Sequence, residues 1–308
     1  MYPYQNPLDD IKAFFGRKSL LASLIKINVI IFVLVNLFRV IFWLFKVNNP
    51  EIAGGEVSWI SYYLSVPAGI EQLIRRPWTL ITYMFLHESF FHVLFNMMVL
   101  YFGGRIFLEY LDKRKLLSVY ILGGLTGAFF YIAAFNLFPV FSQSVNYSIA
   151  LGASASVLAI LIAVATYVPE YSIMLFLFGR VKLKYLALII ILVDVLSIPK
   201  GNAGGHIAHL GGAFWGFLYI FILKNGSDLT INFPVLNGKW LKNMFVKQKT
   251  SEQPFRGRPL TDDEFNARKK EQQERIDKIL EKISRSGYSS LTKEEKALLF
   301  QSSNKNNN

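Results

Sequence analysis

The hydrophobic residues of this chain gather into long unbroken runs instead of alternating with polar ones. Six runs can be read, at Leu24–Phe45, Phe90–Phe107, Leu116–Phe138, Ile149–Val168, Tyr185–Ile198 and Ile207–Leu223. A helix with one face in water breaks its apolar sequence at every turn, whereas a helix surrounded by lipid has no need to. The runs therefore predict transmembrane helices. The fifth falls short of the ~20 residues that cross a bilayer upright, so by length alone it could be re-entrant.

Charge placement decides the count. Lys12, Arg17, Lys18 and Lys26 cluster at the start of the first run. Arg105, Lys113, Arg114 and Lys115 lie between the second and third, and Arg180, Lys182 and Lys184 between the fourth and fifth. The intervening connections carry fewer basic residues, and the stretch from Leu137 to Tyr147 carries none. Basic loops stay on the cytoplasmic side, which predicts six crossings with both termini there. If the fifth run did not cross, the basic tail would be exported.

The expected architecture is an all-α membrane protein. A cytoplasmic N-terminus (1–23) leads into a six-helix bundle (24–224), a linker (225–260) and a cytoplasmic helical tail (261–308). Between the first two spans, Val47 to Thr79 mixes aromatics, single charges and prolines. That mixture suits short helices lying at the outer membrane surface. In the tail, Thr261 with Glu264 makes a capping box, and Leu291-Thr292 with Glu295 starts a second short helix. Ile276, Ile279, Leu280 and Ile283 form one apolar stripe between them, as in a small helical pair or a helix that binds an unknown cytoplasmic partner. The final SSNKNNN is expected to be disordered.

Composition agrees with a membrane solvent, since 53% of the 308 residues are hydrophobic and only 18% are charged. The net charge of +12 is accounted for by cytoplasmic basic segments. It is not interleaved with stacking aromatics, so no nucleic-acid partner is expected. The absence of cysteine excludes disulfides, zinc thiolates and a cysteine nucleophile.

Polar groups are costly in lipid and need a reason to be there. Four places stand out: His87 to Asn96, Gly152-Ala153-Ser154-Ala155, Asp194, and His206 to His209. His92 and Asn96, four residues apart, are about 40° apart around a helix and share a face. Counted from the outer ends of their runs, Asn96, Ser154 and His209 reach a similar depth. A serine nucleophile needs a base and oxyanion donors, and those residue types converge here. Ordinary readings stand beside this one. Gly-Ala-Ser-Ala can be a packing seam and Asn96 an interhelical hydrogen bond. His87 can cap the membrane interface, and Asp194 can be solvated or paired. Zinc fits poorly, because His87 and His92 stand at i, i+5, about 140° apart, whereas a zinc helix presents histidines at i, i+4. No metal or cofactor is expected.

These residues resemble the rhomboid proteases. HESFFHVLFN (His87–Asn96) resembles the family's second core helix, and YFGGRIFLEY its Gly-Gly turn. LGASASVLAI (Leu151–Ile160) resembles the G-x-S-G serine motif, and AHLGGAFWG (Ala208–Gly216) the sixth-helix histidine motif with Gly211, Gly212 and Gly216. The resemblance implies a six-helix fold and a Ser154–His209 dyad with no third acid. It implies His92, Asn96 and the Ser154 backbone as oxyanion donors, and transmembrane segments of other proteins as substrates. The tail resembles one on rhomboids of the Bacteroidetes group, which implies a bacterial inner membrane. Two positions depart from the pattern. Ala155 replaces the glycine after the serine, and Trp78-Thr79 replaces a tryptophan-arginine pair. A catalytically inactive rhomboid-like protein that binds membrane helices is the alternative. A transporter would need paired charges or broken helices near the midplane, where only Asp194 is a candidate.

Overall fold

The computed structural model describes residues 19–52, 55–175, 179–231, 277–285, 287, 291–292 and 295. Two compact units divide at Val235. Among the described residues, the first is built from helices with three two-stranded ladders between them.

Helix α1 (Leu20–Leu44) begins at Ser19, whose hydroxyl accepts from Ala22 N–H. Its buried face carries Leu21, Leu24, Ile25, Asn28 and Val35, while Val33, Leu37 and Phe38 stay exposed. Large exposed apolar side chains along one helix have no place in water, and lipid is the solvent that suits them. Strands β1 (Glu51–Ile52) and β2 (Gly55–Glu56) follow, then α2 (Trp59–Leu64), β3 (Val66–Pro67), α3 (Ile70–Arg75) and α4 (Thr79–Thr82). The short helices expected between Val47 and Thr79 are thus present, and α4 runs on into a 3₁₀ turn at Tyr83–Phe85.

Helix α5 (Phe90–Tyr110) is capped by Ser89, and α6 (Lys113–Leu137) by Asp112, whose carboxylate accepts from Arg114 and Lys115 N–H. Strand β4 (Ile149–Ala150) pairs with β3, and α7 (Ser154–Tyr167) follows. Strands β5 (Ser172–Leu175) and β6 (Gly179–Lys182) lead into α8 (Leu183–Ser197) and α9 (Ala203–Lys224).

Four of these helices, α1, α5, α6 and α9, are long and apolar enough to cross a membrane. Helices α7 and α8 have 14 and 15 residues, or roughly 21–23 Å of rise against a hydrocarbon core of about 30 Å. Their surroundings differ. Eleven residues of α7 are buried, so it is the central post of the bundle, whereas α8 buries only Leu183, Ala187 and Asp194.

Missing side chains bring α6 and α9 against that post. A methyl built on Gly212 would overlap the Ala155 carbonyl, one on Gly216 the Ala159 carbonyl, and one on Gly123 of α6 the Ala159 methyl. Close backbone approach at small residues is how helices associate where lipid removes any hydrophobic drive. A buried polar chain adds specificity: Asn28 donates to Tyr120 Oη at 3.2 Å, which donates to the Met84 carbonyl.

After α9 the chain folds back along α6. Asp228 pairs with Lys115 at 3.1 Å, and Ile231 N–H donates to Ser118 Oγ at 3.0 Å. The start of the segment read as a linker is therefore held in place. In the second unit, residues 277–285 are helical and Ile279 is buried. Thr292 and Glu295 make the reciprocal bonds of a capping box, at 3.3 and 2.7 Å. Thr261, Glu264, Ile276 and the final SSNKNNN lie outside the described residues.

Candidate active site

Ser154 is the first residue of α7. The chain reaches it from β4 through Gly152, whose N–H donates to the Tyr83 carbonyl at 2.9 Å. Gly152 has φ of +135°, a region L side chains rarely adopt, and any side chain there would also lack room. A Cβ at this position would lie 3.1 Å from His92 Nε2 and 3.3 Å from Ser154 Oγ. The serine hydroxyl and the His92 imidazole therefore flank one methyl-sized space. No side chain caps α7, so its first N–H groups and the positive end of its dipole stay available where the serine sits.

His209 comes from the second turn of α9. That helix starts at Asn202, which sits in the left-handed region and accepts from Gly205 N–H. His209 Nδ1 lies 2.9 Å from Asp194 Oδ1, and His206 Nδ1 lies 2.8 Å from the same oxygen. The two histidines are three residues apart on one helical face and straddle a single carboxylate. An ionised carboxylate only accepts hydrogen bonds, so each neutral ring carries its hydrogen on Nδ1 and its lone pair on Nε2. That is the tautomer a general base requires. Asp194 is 5% exposed, and its second oxygen is buried with no hydrogen-bond partner among the described residues.

His92 and Asn96 stand one turn apart on α5, and Asn96 Nδ2 donates to the His92 carbonyl at 2.9 Å. An amide nitrogen has two hydrogens, which leaves one for the cavity. A cavity of about 970 Å³ is lined by Ser154, His209, His92, Asn96, Gly152 and Asp194 together with apolar residues of α5, α7 and α8. Helices α5, α7 and α9 thus deliver a hydroxyl, an imidazole and amide donors to one space, the equipment of acyl transfer.

Residues 75–226 match the family model described as Rhomboid domain. The chain belongs to the rhomboid family. Residues 261–305 match a further model, a family of unknown function (DUF6576). Among curated relatives, presenilin-associated rhomboid-like protein, mitochondrial, of Bos taurus is 30% identical over 186 residues, covering 55% of this chain and 45% of that protein. The Homo sapiens protein of that name is 29% identical over the same length. RHOMBOID-like protein 12, mitochondrial, of Arabidopsis thaliana is 32% identical over 147 residues, covering 45% of this chain and 44% of the relative. The chain spans less than half the length of these relatives. Their names place them in mitochondria, which overturns the assignment to a bacterial inner membrane.

Several sequence readings change within the rhomboid domain. Ser154 lies five residues into the Ile149–Val168 run, yet α7 begins at Ser154 itself. Ile149 and Ala150, apolar enough to extend the run, are instead strand residues paired with Pro67 and Val66. Helix α9 likewise begins at Ala203, four residues ahead of the Ile207–Leu223 run, so His206 stands about a turn inside it. The absence of an acid beside His209 is corrected too, because Asp194 occupies that place. The available signal was a lone acid within an apolar span, since a charge buried there must find a partner.

Ser156 and His87 lie off the cavity. Ser156 is fully buried against α6, where a methyl on Gly124 would come within 2.6 Å of its hydroxyl. His87 is buried with its ring 5.0 Å from that of His92. Both departures from the rhomboid pattern are accommodated. The Ala155 methyl fills the space left by Gly127, where an added Cβ would come within 2.6 Å of it. In the connecting segment, Arg76 packs over the Tyr62 ring at 4.2 Å and bonds the Tyr62 carbonyl, while Trp78 Nε1 donates to the Tyr63 carbonyl.

Proposed function

We propose that this rhomboid is an intramembrane serine endopeptidase that cuts transmembrane segments of other proteins. One observation carries the reading: Ser154, His209, His92 and Asn96, drawn from three helices, line a single cavity beside a carboxylate that fixes the tautomer of His209. Helices α7 and α8 cross together with the four longer ones, giving six crossings and both ends of the bundle on one side. The central position of α7 supports this, because a buried helix needs no lipid-facing length of its own. Lipid surrounds the exposed apolar faces of α1 and α8.

In the proposed reaction Ser154 Oγ attacks the scissile carbonyl carbon while His209 Nε2 takes its proton. The imidazolium formed keeps its Nδ1–H on Asp194, whose negative charge stabilises it. Negative charge on the substrate oxygen is met by the Ser154 N–H, His92 and the free Asn96 hydrogen. His209 then protonates the leaving amine, and water, deprotonated by the same ring, releases the acyl group from Ser154.

The test compares Ser154→Ala with Ser156→Ala in purified full-length protein, reading cleavage of a transmembrane substrate and labelling by a fluorophosphonate probe. Ser154→Ala should lose both, and Ser156→Ala should retain both. Retention of labelling in Ser154→Ala would reject Ser154 as the nucleophile. A native chain that neither cleaves nor labels would favour an inactive protein that binds membrane helices.

A further inference from the structure

Asp194, His206 and His209 offer donor atoms that all lie within 4.8 Å of one another. The two Nδ1 atoms stand 2.8 and 2.9 Å from one carboxylate oxygen, a few tenths of an ångström short of the ~3.3 Å between neighbouring ligands of a tetrahedral ion at metal–ligand distances near 2.0–2.1 Å, so a small outward shift of the side chains admits the ion. The second Asp194 oxygen is buried with no hydrogen-bond partner among the described residues, and both histidine side chains are partly exposed, so an ion has a way in. Two imidazoles and one carboxylate suit a borderline divalent metal, zinc first, with the remaining positions filled by water. Peptide cleavage by Ser154 and His209 makes no use of His206, which does not line the cavity.

We propose that Asp194, His206 and His209 form an inhibitory site for a divalent transition metal such as zinc. The inhibitory consequence rests on the protease reading; the binding site does not. The chemistry follows from the tautomer. In the metal-free state His209 holds its hydrogen on Nδ1 and its lone pair on Nε2. A metal bound at Nδ1 needs the lone pair there, so the ring hydrogen moves to Nε2. A protonated Nε2 cannot accept the Ser154 proton. The ion also takes over the carboxylate that would stabilise the imidazolium. One binding event thus removes the base without touching the serine.

The experiment uses untagged full-length protein treated with a chelator and then exchanged free of it. In the Ser154→Ala background, Co²⁺ is added and its visible absorption read, followed by competition with Zn²⁺. Saturable binding displaced by zinc and lost in His206→Ala is expected. No saturable binding in the Ser154→Ala chain would overturn the proposal. In the native-serine background, Zn²⁺ should suppress fluorophosphonate labelling and cleavage. His206→Ala should keep most of its metal-free cleavage while losing at least tenfold in zinc sensitivity, and unchanged sensitivity would also overturn the proposal. A chain that binds metal through these residues yet cleaves nothing in its absence would leave the site standing and reject the protease reading.

Discussion

Gly212 and Ala155 face each other so closely that the α-carbon of one helix rests against the peptide group of the other. A Cβ on Gly212 would lie 3.0 Å from Ala155 Cα and would overlap the Ala155 carbonyl. A backbone carbonyl cannot swing aside as a side-chain tip can. The contact sits three residues after His209 and one residue after Ser154, so it sets how near the candidate base comes to the candidate nucleophile.

Gly212→Val should therefore separate the two before it unfolds the protein. Overpacking a tight core costs about 1–3 kcal/mol, and a backbone obstacle places this change at the upper end. The expected result is a lowered thermal midpoint with fluorophosphonate labelling lost even in the folded fraction. Gly103→Ala is the control, because a methyl there meets nothing closer than 3.8 Å. It should be neutral or stabilising by up to about 1 kcal/mol through helix propensity. Equal damage from both substitutions would show that the Gly212 contact has no special role.

Ala155→Gly restores the family's glycine. The Ala155 methyl is 2% exposed and faces Gly127. Its removal sacrifices a buried methyl and places glycine in a helix, each worth roughly 1 kcal/mol. Thermal unfolding in detergent should show the two together, a destabilisation of about 2 kcal/mol, with cleavage retained. Loss of cleavage would mean that the methyl positions Ser154 and does more than fill space.

Asn96→Ala should lower kcat about a hundredfold with little change in KM, the usual consequence of losing one side-chain oxyanion donor. His92 and the α7 N–H groups remain to share the charge. Because Asn96 also bonds the His92 carbonyl, a thermal midpoint is needed alongside. Unchanged turnover with a lowered midpoint would make Asn96 a packing residue.

The long helices were legible because their apolar runs exceed anything an aqueous helix would carry, and the runs coincide with α1, α5, α6 and α9 to within a few residues. The start of α7 was not legible. Ile149 and Ala150 look helical in a membrane sequence, and only a ladder with Val66 and Pro67, more than 80 residues away, makes them strand. The convergence of Asn96, Ser154 and His209 on one cavity had a sequence signal in their order and spacing. The depth count behind it began at the wrong residue for both α7 and α9. Asp194 could be seen as a lone charge, but its partners come from the next helix through a turn whose geometry depends on Asn202 in the left-handed region.

That pairing separates the roles of the two histidines. Both sit on Asp194, both hold the same tautomer, and they share a face of α9, so neither hydrogen bonding nor direction distinguishes them. The cavity does: His209 lines it with Ser154, and His206 does not. His209→Ala should eliminate cleavage and fluorophosphonate labelling together, because no other lining imidazole rests on the acid. His206→Ala should retain most of both and leave Asp194 to His209 alone. Asp194→Asn is the discriminating variant. An amide can turn its NH₂ toward Nδ1, which forces the hydrogen of His209 onto Nε2 and blocks proton abstraction. Losing the acid of an isolated serine triad lowers kcat by up to about 10⁴, and a fall of at least a hundredfold with KM little changed is expected here. A structural role alone would move the thermal midpoint and leave kcat per folded molecule intact. If Asp194→Asn cleaves normally while His206→Ala does not, the base has been assigned to the wrong histidine.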